Sequence, residues 1–92
     1  MKEFDNSLLL VEWEDSTQPL PSWCYLEDPP SLEIIKCISV GWIIKESDKV
    51  LMLAPNIGDC ESDDNIQGSG FIRIPKSAII KTTNIDIRSI HE

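Results

Sequence analysis

The strongest pattern in the chain runs over residues 32–45, LEIIKCISVGWIIK. Lys36, Ile38, Val40, Trp42 and Ile44 fall on one side at a period of two, and Ile35, Cys37, Ser39, Gly41 and Ile43 on the other. Side chains branched at Cβ crowd a helical turn and fit a pleated surface, so the pattern predicts a central strand. Both of its sides are largely apolar, which predicts cover on both faces for part of its length. Gly41 is read as the point where so long a strand bends or bulges; the rival reading is close approach of a ligand's backbone. Residues 46–49 form a short polar turn, and residues 50–54, VLMLA, return as the second strand of a hairpin that Pro55 ends.

The remaining segments are read as packing against that hairpin. In residues 8–15, Leu9, Val11 and Trp13 alternate with Leu10, Glu12 and Glu14, predicting a strand that starts covered and ends with one wet face. Residues 1–7 are polar and predict a frayed end. Pro19, Pro21, Pro29 and Pro30 exclude helix interior and central strand from residues 16–31. Leu20, Trp23, Tyr25 and Leu26 are too apolar for a free linker, so this loop is expected to fold back and bury its aromatics. On that reading Trp23 caps an open end of the core; on the rival one, Trp23 and Tyr25 form a contact surface. Residues 56–70 form a second long loop with three glycines and the carboxylates Asp59, Glu61, Asp63 and Asp64. The spacing fails a calcium-binding loop: the sixth position from Asp59 is Asp64 rather than Gly, and the twelfth is Gly70 rather than Glu. A solvated loop is expected. Residues 71–74 predict a strand, residues 75–78 one tight helical turn, and residues 79–83 a last strand that residues 84–90 extend, with Ile79, Lys81, Thr83, Ile85 and Ile87 on one face.

This order of elements makes the chain all-β and a single domain over residues 1–92. Five short strands, two long loops and a one-turn helix before the last strand resemble the SH3-like five-stranded small barrels. The resemblance is carried by residues 11–13, 38–44, 50–53 and 71–80. It implies two orthogonal sheets closed around one core. The segments VEWED, CISVGWIIK, LMLAPN and IRIPKSAI, with a tryptophan in the first loop, are also similar to small uncharacterised proteins of tailed phages and prophages. That likeness implies a cytoplasmic phage accessory protein that acts by contacting a host component. It supplies no catalytic or binding residues.

Charge and cysteine usage narrow the partners. The net charge is −8, and residues 1–33 carry eight acidic groups against Lys2. Such a surface repels phosphate backbones and anionic lipid, so direct nucleic-acid or membrane binding is not expected, whereas a basic partner is attracted. Cys24, Cys37 and Cys60 form no CxxC pair and read as free thiols of a reducing cytoplasm. No basic-then-apolar leader and no bilayer-length apolar run stands in the sequence, and a soluble protein is expected.

Groups for catalysis do not assemble in the pattern. The one histidine, His91, stands beside the end of the sequence, where a Ser-His or Cys-His pair is implausible. Gly68-Ser69-Gly70 precedes a strand rather than the helix an anion site needs. Three scattered cysteines and one histidine match no zinc spacing. The reading is therefore a non-enzymatic binding module without cofactor or metal. Its expected contact residues are Trp13, Trp23, Tyr25, Asp59, Glu61, Asp63 and Asp64. Two alternatives are an oligomeric sponge for a nucleotide signal, drawing on Lys36, Lys45, Arg73, Lys76 and Lys81, and an acidic mimic of nucleic acid. A homo-oligomer is compatible with the pattern, and the sequence does not set the oligomeric state.

Overall fold

A computed structural model of the chain describes residues 6–15 and 22–86. Seven strands run in the order β1 (Leu8–Asp15), β2 (Ile35–Glu46), β3 (Val50–Ala54), β4 (Asn56–Gly58), β5 (Gln67–Ser69), β6 (Ile72–Pro75) and β7 (Ile79–Ile85), with a one-turn 3-10 helix, Lys76–Ala78, between the last two. The main sheet has five antiparallel strands in the order β6-β3-β2-β1-β7, and β4 and β5 form a separate two-stranded ribbon. The all-β expectation therefore holds, with a five-stranded antiparallel sheet at its centre. Strands β6 and β7 stand at the two edges of that sheet, and the helical turn joins them.

The long strand is shared between two neighbours. β1 pairs with β2 from Leu8↔Trp42 to Asp15↔Ile35 without a shift, while β3 pairs with β2 at Trp42, Ile43, Lys45 and Glu46. The handover falls beside Gly41. A Cβ placed there would lie 3.0 Å from the carbonyl oxygen of Ala54 and 3.1 Å from the Cβ of Leu53. Close approach of the protein's own returning strand therefore accounts for Gly41, and the strand's irregularity sits further on, between Ile43 and Lys45. The hairpin turn is held by Ser47, whose N–H donates to the Val50 carbonyl at 2.9 Å and whose Oγ accepts from the N–H groups of Lys49 (3.2 Å) and Val50 (3.1 Å). The Lys76 N–H donates to the Lys49 carbonyl at 2.8 Å, which ties the helical turn to the same hairpin tip.

The core lies against one face of the sheet. Leu9, Val11, Leu51, Leu53 and Ile74 are buried together, with Trp13, Ile43, Ile72 and Ile79 packed around them. The period-two reading of β1 and β2 is correct in register: Leu9, Val11 and Trp13 face Gly41, Ser39 and Cys37 on the inner side. Cover on both faces is limited to one end of the strand, where Trp42 is half-buried on the outer side. Further along the same side Ile38 is 69% exposed and Val40 45% exposed.

Two further expectations change. The loop over residues 56–70 contains the β4–β5 ribbon, in which the ring of Phe71 stands against Gly68. Gly70 leaves that ribbon at φ +76, a left-handed conformation beside the ring of Pro55. In β7 the register shifts between Glu12 and Trp13 of its neighbour, pairing Glu12 with Lys81 and Trp13 with Ile79. Ile79 consequently packs on the core while Lys81 and Thr83 pair with the outward positions Glu12 and Leu10, so the single face expected for Ile79, Lys81, Thr83, Ile85 and Ile87 is broken at Ile80. Ile87, like residues 88–92, lies outside the described residues.

Candidate interaction surface

The loop that joins β1 to β2 is expected from its apolar content to close over the core, and its described part does the opposite. Every residue from 22 to 34 is exposed. Trp23, Tyr25, Leu26 and Leu32 are between 88% and 101% exposed. Trp23 therefore does not cap the core, and Tyr25 is not buried. The core does not need them, because Leu51, Leu53 and Ile74 from the hairpin and β6 already fill the space above Leu9 and Val11. Pro19, Leu20 and Pro21, from the earlier part of the same loop, lie outside the described residues.

Local chemistry explains the arm's shape. The Asp28 N–H donates to the Tyr25 carbonyl at 3.0 Å, closing a turn that begins at Tyr25 and places Leu26 and Glu27 at its bend. Pro29 and Pro30 then hold the backbone extended, and the Glu33 N–H donates to Ser31 Oγ at 3.1 Å.

The other expected contact residues do not join this arm. Trp13 is half-buried on the inner face of β1, where its indole Nε1–H donates to Ser39 Oγ at 3.0 Å. Asp59, Glu61, Asp63 and Asp64 are exposed around a tight turn. Asp59 takes φ 57 there and its carbonyl accepts from the Ser62 N–H at 3.0 Å, while Ser62 Oγ accepts from the Asn65 N–H at 3.0 Å. These bonds organise the backbone of the turn without gathering its carboxylates into one centre. Among the described residues no group of three or more His, Cys, Asp or Glu is placed to hold a metal ion, and no helix is long and apolar enough to cross a membrane. His91 lies outside them.

Two surfaces are not singled out by the residue pattern. Leu26 and Leu32 join Trp23 and Tyr25 on the arm; their apolar character is visible in the sequence, but there it argues for burial. The outer face of β1 and β2, with Ile38 and Val40 exposed beside Leu8, Leu10 and Trp42, is the second. Met52 of β3, Arg73 of β6 and Phe71, which precedes β6, line an open depression of about 450 Å³. Compared with known proteins, the chain matches no family model, no curated protein and no solved structure.

Proposed function

We propose that this chain is a non-enzymatic binding module that captures a protein partner with the arm of residues 22–34. The observation that carries the reading is the complete exposure of Trp23, Tyr25, Leu26 and Leu32 within one short segment. Aromatic and large aliphatic side chains of this kind supply most of the energy where proteins bind one another. Four of them held in water are a cost that a partner's pocket removes. The prolines and the Tyr25–Asp28 turn reduce the ordering cost of binding by restricting the arm beforehand.

The strand order β6-β3-β2-β1-β7, with one helical turn linking the edge strands, supports an SH3-like small barrel as the scaffold. In such a scaffold the long loop after the first strand is a natural place for recognition. The free thiols of Cys24, Cys37 and Cys60 support a reducing cytoplasm as its setting. Within the phage-accessory reading, the partner is a host protein with an apolar groove, its rim basic enough to meet a chain of net charge −8.

The test is capture from a host lysate with the wild-type protein and with Trp23→Ala plus Tyr25→Ala, followed by titration of the recovered partner. Loss of binding by about a hundredfold or more in the double variant, with its fold intact by circular dichroism, is the expected result. An unchanged affinity for the same partner removes the arm from the site. A salt series separates the second reading, an acidic mimic working through Asp59, Glu61, Asp63 and Asp64. Those side chains are exposed on one turn, and binding through them falls steeply with added salt.

A further inference from the structure

We propose that two copies of this chain associate through the free edge of β2 at residues 35–41, forming one continuous antiparallel sheet. β1 lines one side of β2 from Ile35 to Trp42, but on the other side β3 begins only at Trp42. Among the described residues no strand pairs with 35–41 on that side. Alternation then decides which groups point outward. The Ile43 N–H donates to the Ser7 carbonyl at 2.9 Å, so odd-numbered residues of the unshifted ladder bond toward β1. Lys36, Ile38 and Val40 direct their N–H and C=O groups to the open side.

Such an edge calls for another extended backbone, and its side chains favour a second copy over water. Residues 35–41 hold one charge, Lys36, and no proline, so little of the usual protection of an exposed strand edge is present. Ile35, Ile38 and Val40 are each more than two-fifths exposed: 51%, 69% and 45%. The strand is also self-complementary. A two-fold axis at Ile38 sets Ile38 against Ile38 of the second copy and Lys36 against its Val40, so no like charges face each other. The same register makes 36/40, 38/38 and 40/36 the pairs that exchange both main-chain hydrogen bonds, which is where the open groups lie. In each copy Lys36 keeps Glu14 as its cross-strand neighbour on β1.

The small core gives a reason for the association. The described residues bury Leu9, Val11, Leu51, Leu53, Ala54 and Ile74, a modest set for a domain of this length. Pairing at β2 covers Ile38 and Val40 without using the arm. The dimer therefore presents two arms, and a partner with repeated sites would bind it more tightly than one arm allows.

Sedimentation equilibrium of the full chain over a concentration series tests the proposal. The wild type is expected at the mass of two chains, and its association should strengthen with added salt, because two copies of charge −8 repel. Ile38→Pro removes an outward N–H while leaving the odd-numbered bonds to β1 in place. Ile38→Lys sets two lysines against each other across the axis. Each variant should weaken association by about tenfold or more, with the near-ultraviolet dichroism of the folded chain retained. If Ile38→Pro unfolds, Ile38→Lys at a 69% exposed position decides the question alone. A wild type that stays monomeric throughout the series, or a folded Ile38→Lys that dimerises as tightly as the wild type, overturns the proposal. Trp23→Ala plus Tyr25→Ala should remain dimeric, so failure of the arm reading and failure of this one are distinguishable.

Discussion

The indole Nε1–H of Trp13 on β1 donates to Ser39 Oγ on β2 at 3.0 Å, reaching diagonally past Cys37, its direct cross-strand neighbour. The bond satisfies a half-buried donor at the margin of the core and gives a residue expected at a contact surface a structural task. Trp13→Phe keeps most of the packing and removes the donor, so it should destabilise the fold by about 1 kcal/mol. Ser39→Ala should cost a similar amount, and the double variant less than the two together, since both remove one interaction. Urea unfolding of the four proteins checks this; strict additivity would show the bond to be absent in solution.

Gly41 and Gly58 make opposite predictions for the same substitution. An alanine methyl at Gly41 meets the Ala54 carbonyl oxygen at 3.0 Å, and backbone cannot step aside as a side-chain tip can. Gly41→Ala should therefore destabilise by about 1–3 kcal/mol. At Gly58 the nearest atom is the Gln67 carbonyl oxygen at 3.9 Å, an ordinary contact. Gly58→Ala should lie within about 0.5 kcal/mol of the wild type. Thermal unfolding of both variants measures the contrast, and equal effects would place the β2–β3 handover elsewhere.

Leu53 tests where the core is centred. It is fully buried on β3, opposite Ile43 on β2 and Ile72 on β6. Leu53→Ala should cost about 2–5 kcal/mol, as deletion from a packed site does. Leu26→Ala removes the same atoms from a side chain that is 96% exposed and should shift stability by no more than about 0.5 kcal/mol. Denaturant midpoints for the pair report the difference directly.

The strands are legible in the sequence because each carries its own local signal. The alternation in residues 8–15, the isoleucine-rich run after Leu32 and the proline at residue 75 each mark an element from within. The pairing of Leu9 with Gly41 and Val11 with Ser39 follows once one face must be dry. What the sequence hides depends on distant geometry. Burial of Trp23 and Tyr25 follows from their apolarity alone, and apolarity states a preference without saying whether any surface lies within reach. The β7 shift at Ile80 depends on a bulge in the pairing with β1, which no periodicity in residues 79–85 announces. The ribbon of β4 and β5 is masked by its composition, since Asn56-Ile57-Gly58 and Gln67-Gly68-Ser69 are poor strand formers held by Phe71 and Pro55.

Limited proteolysis asks whether the arm stands free in solution. Chymotrypsin cuts after large apolar residues but needs a locally unfolded stretch of chain to enter its site. Trp23, Tyr25 and Leu26 meet that condition, being exposed in a segment with no strand pairing. Trp13 and Trp42 do not, because both lie within the ladder of β1 and β2. Cleavage should therefore begin at Trp23, Tyr25 or Leu26, and the two fragments should stay together, since Leu8↔Trp42 through Asp15↔Ile35 still pair across the cut. Mass spectrometry of early time points identifies the bonds cut. Protection of the arm in the purified protein, equal to that of Trp13, would mean that the segment is already covered, and would overturn the arm as a free binding surface. Protection that arises only on adding the recovered host protein would place that protein on the arm, with Trp23 and Tyr25 as the side chains it takes up.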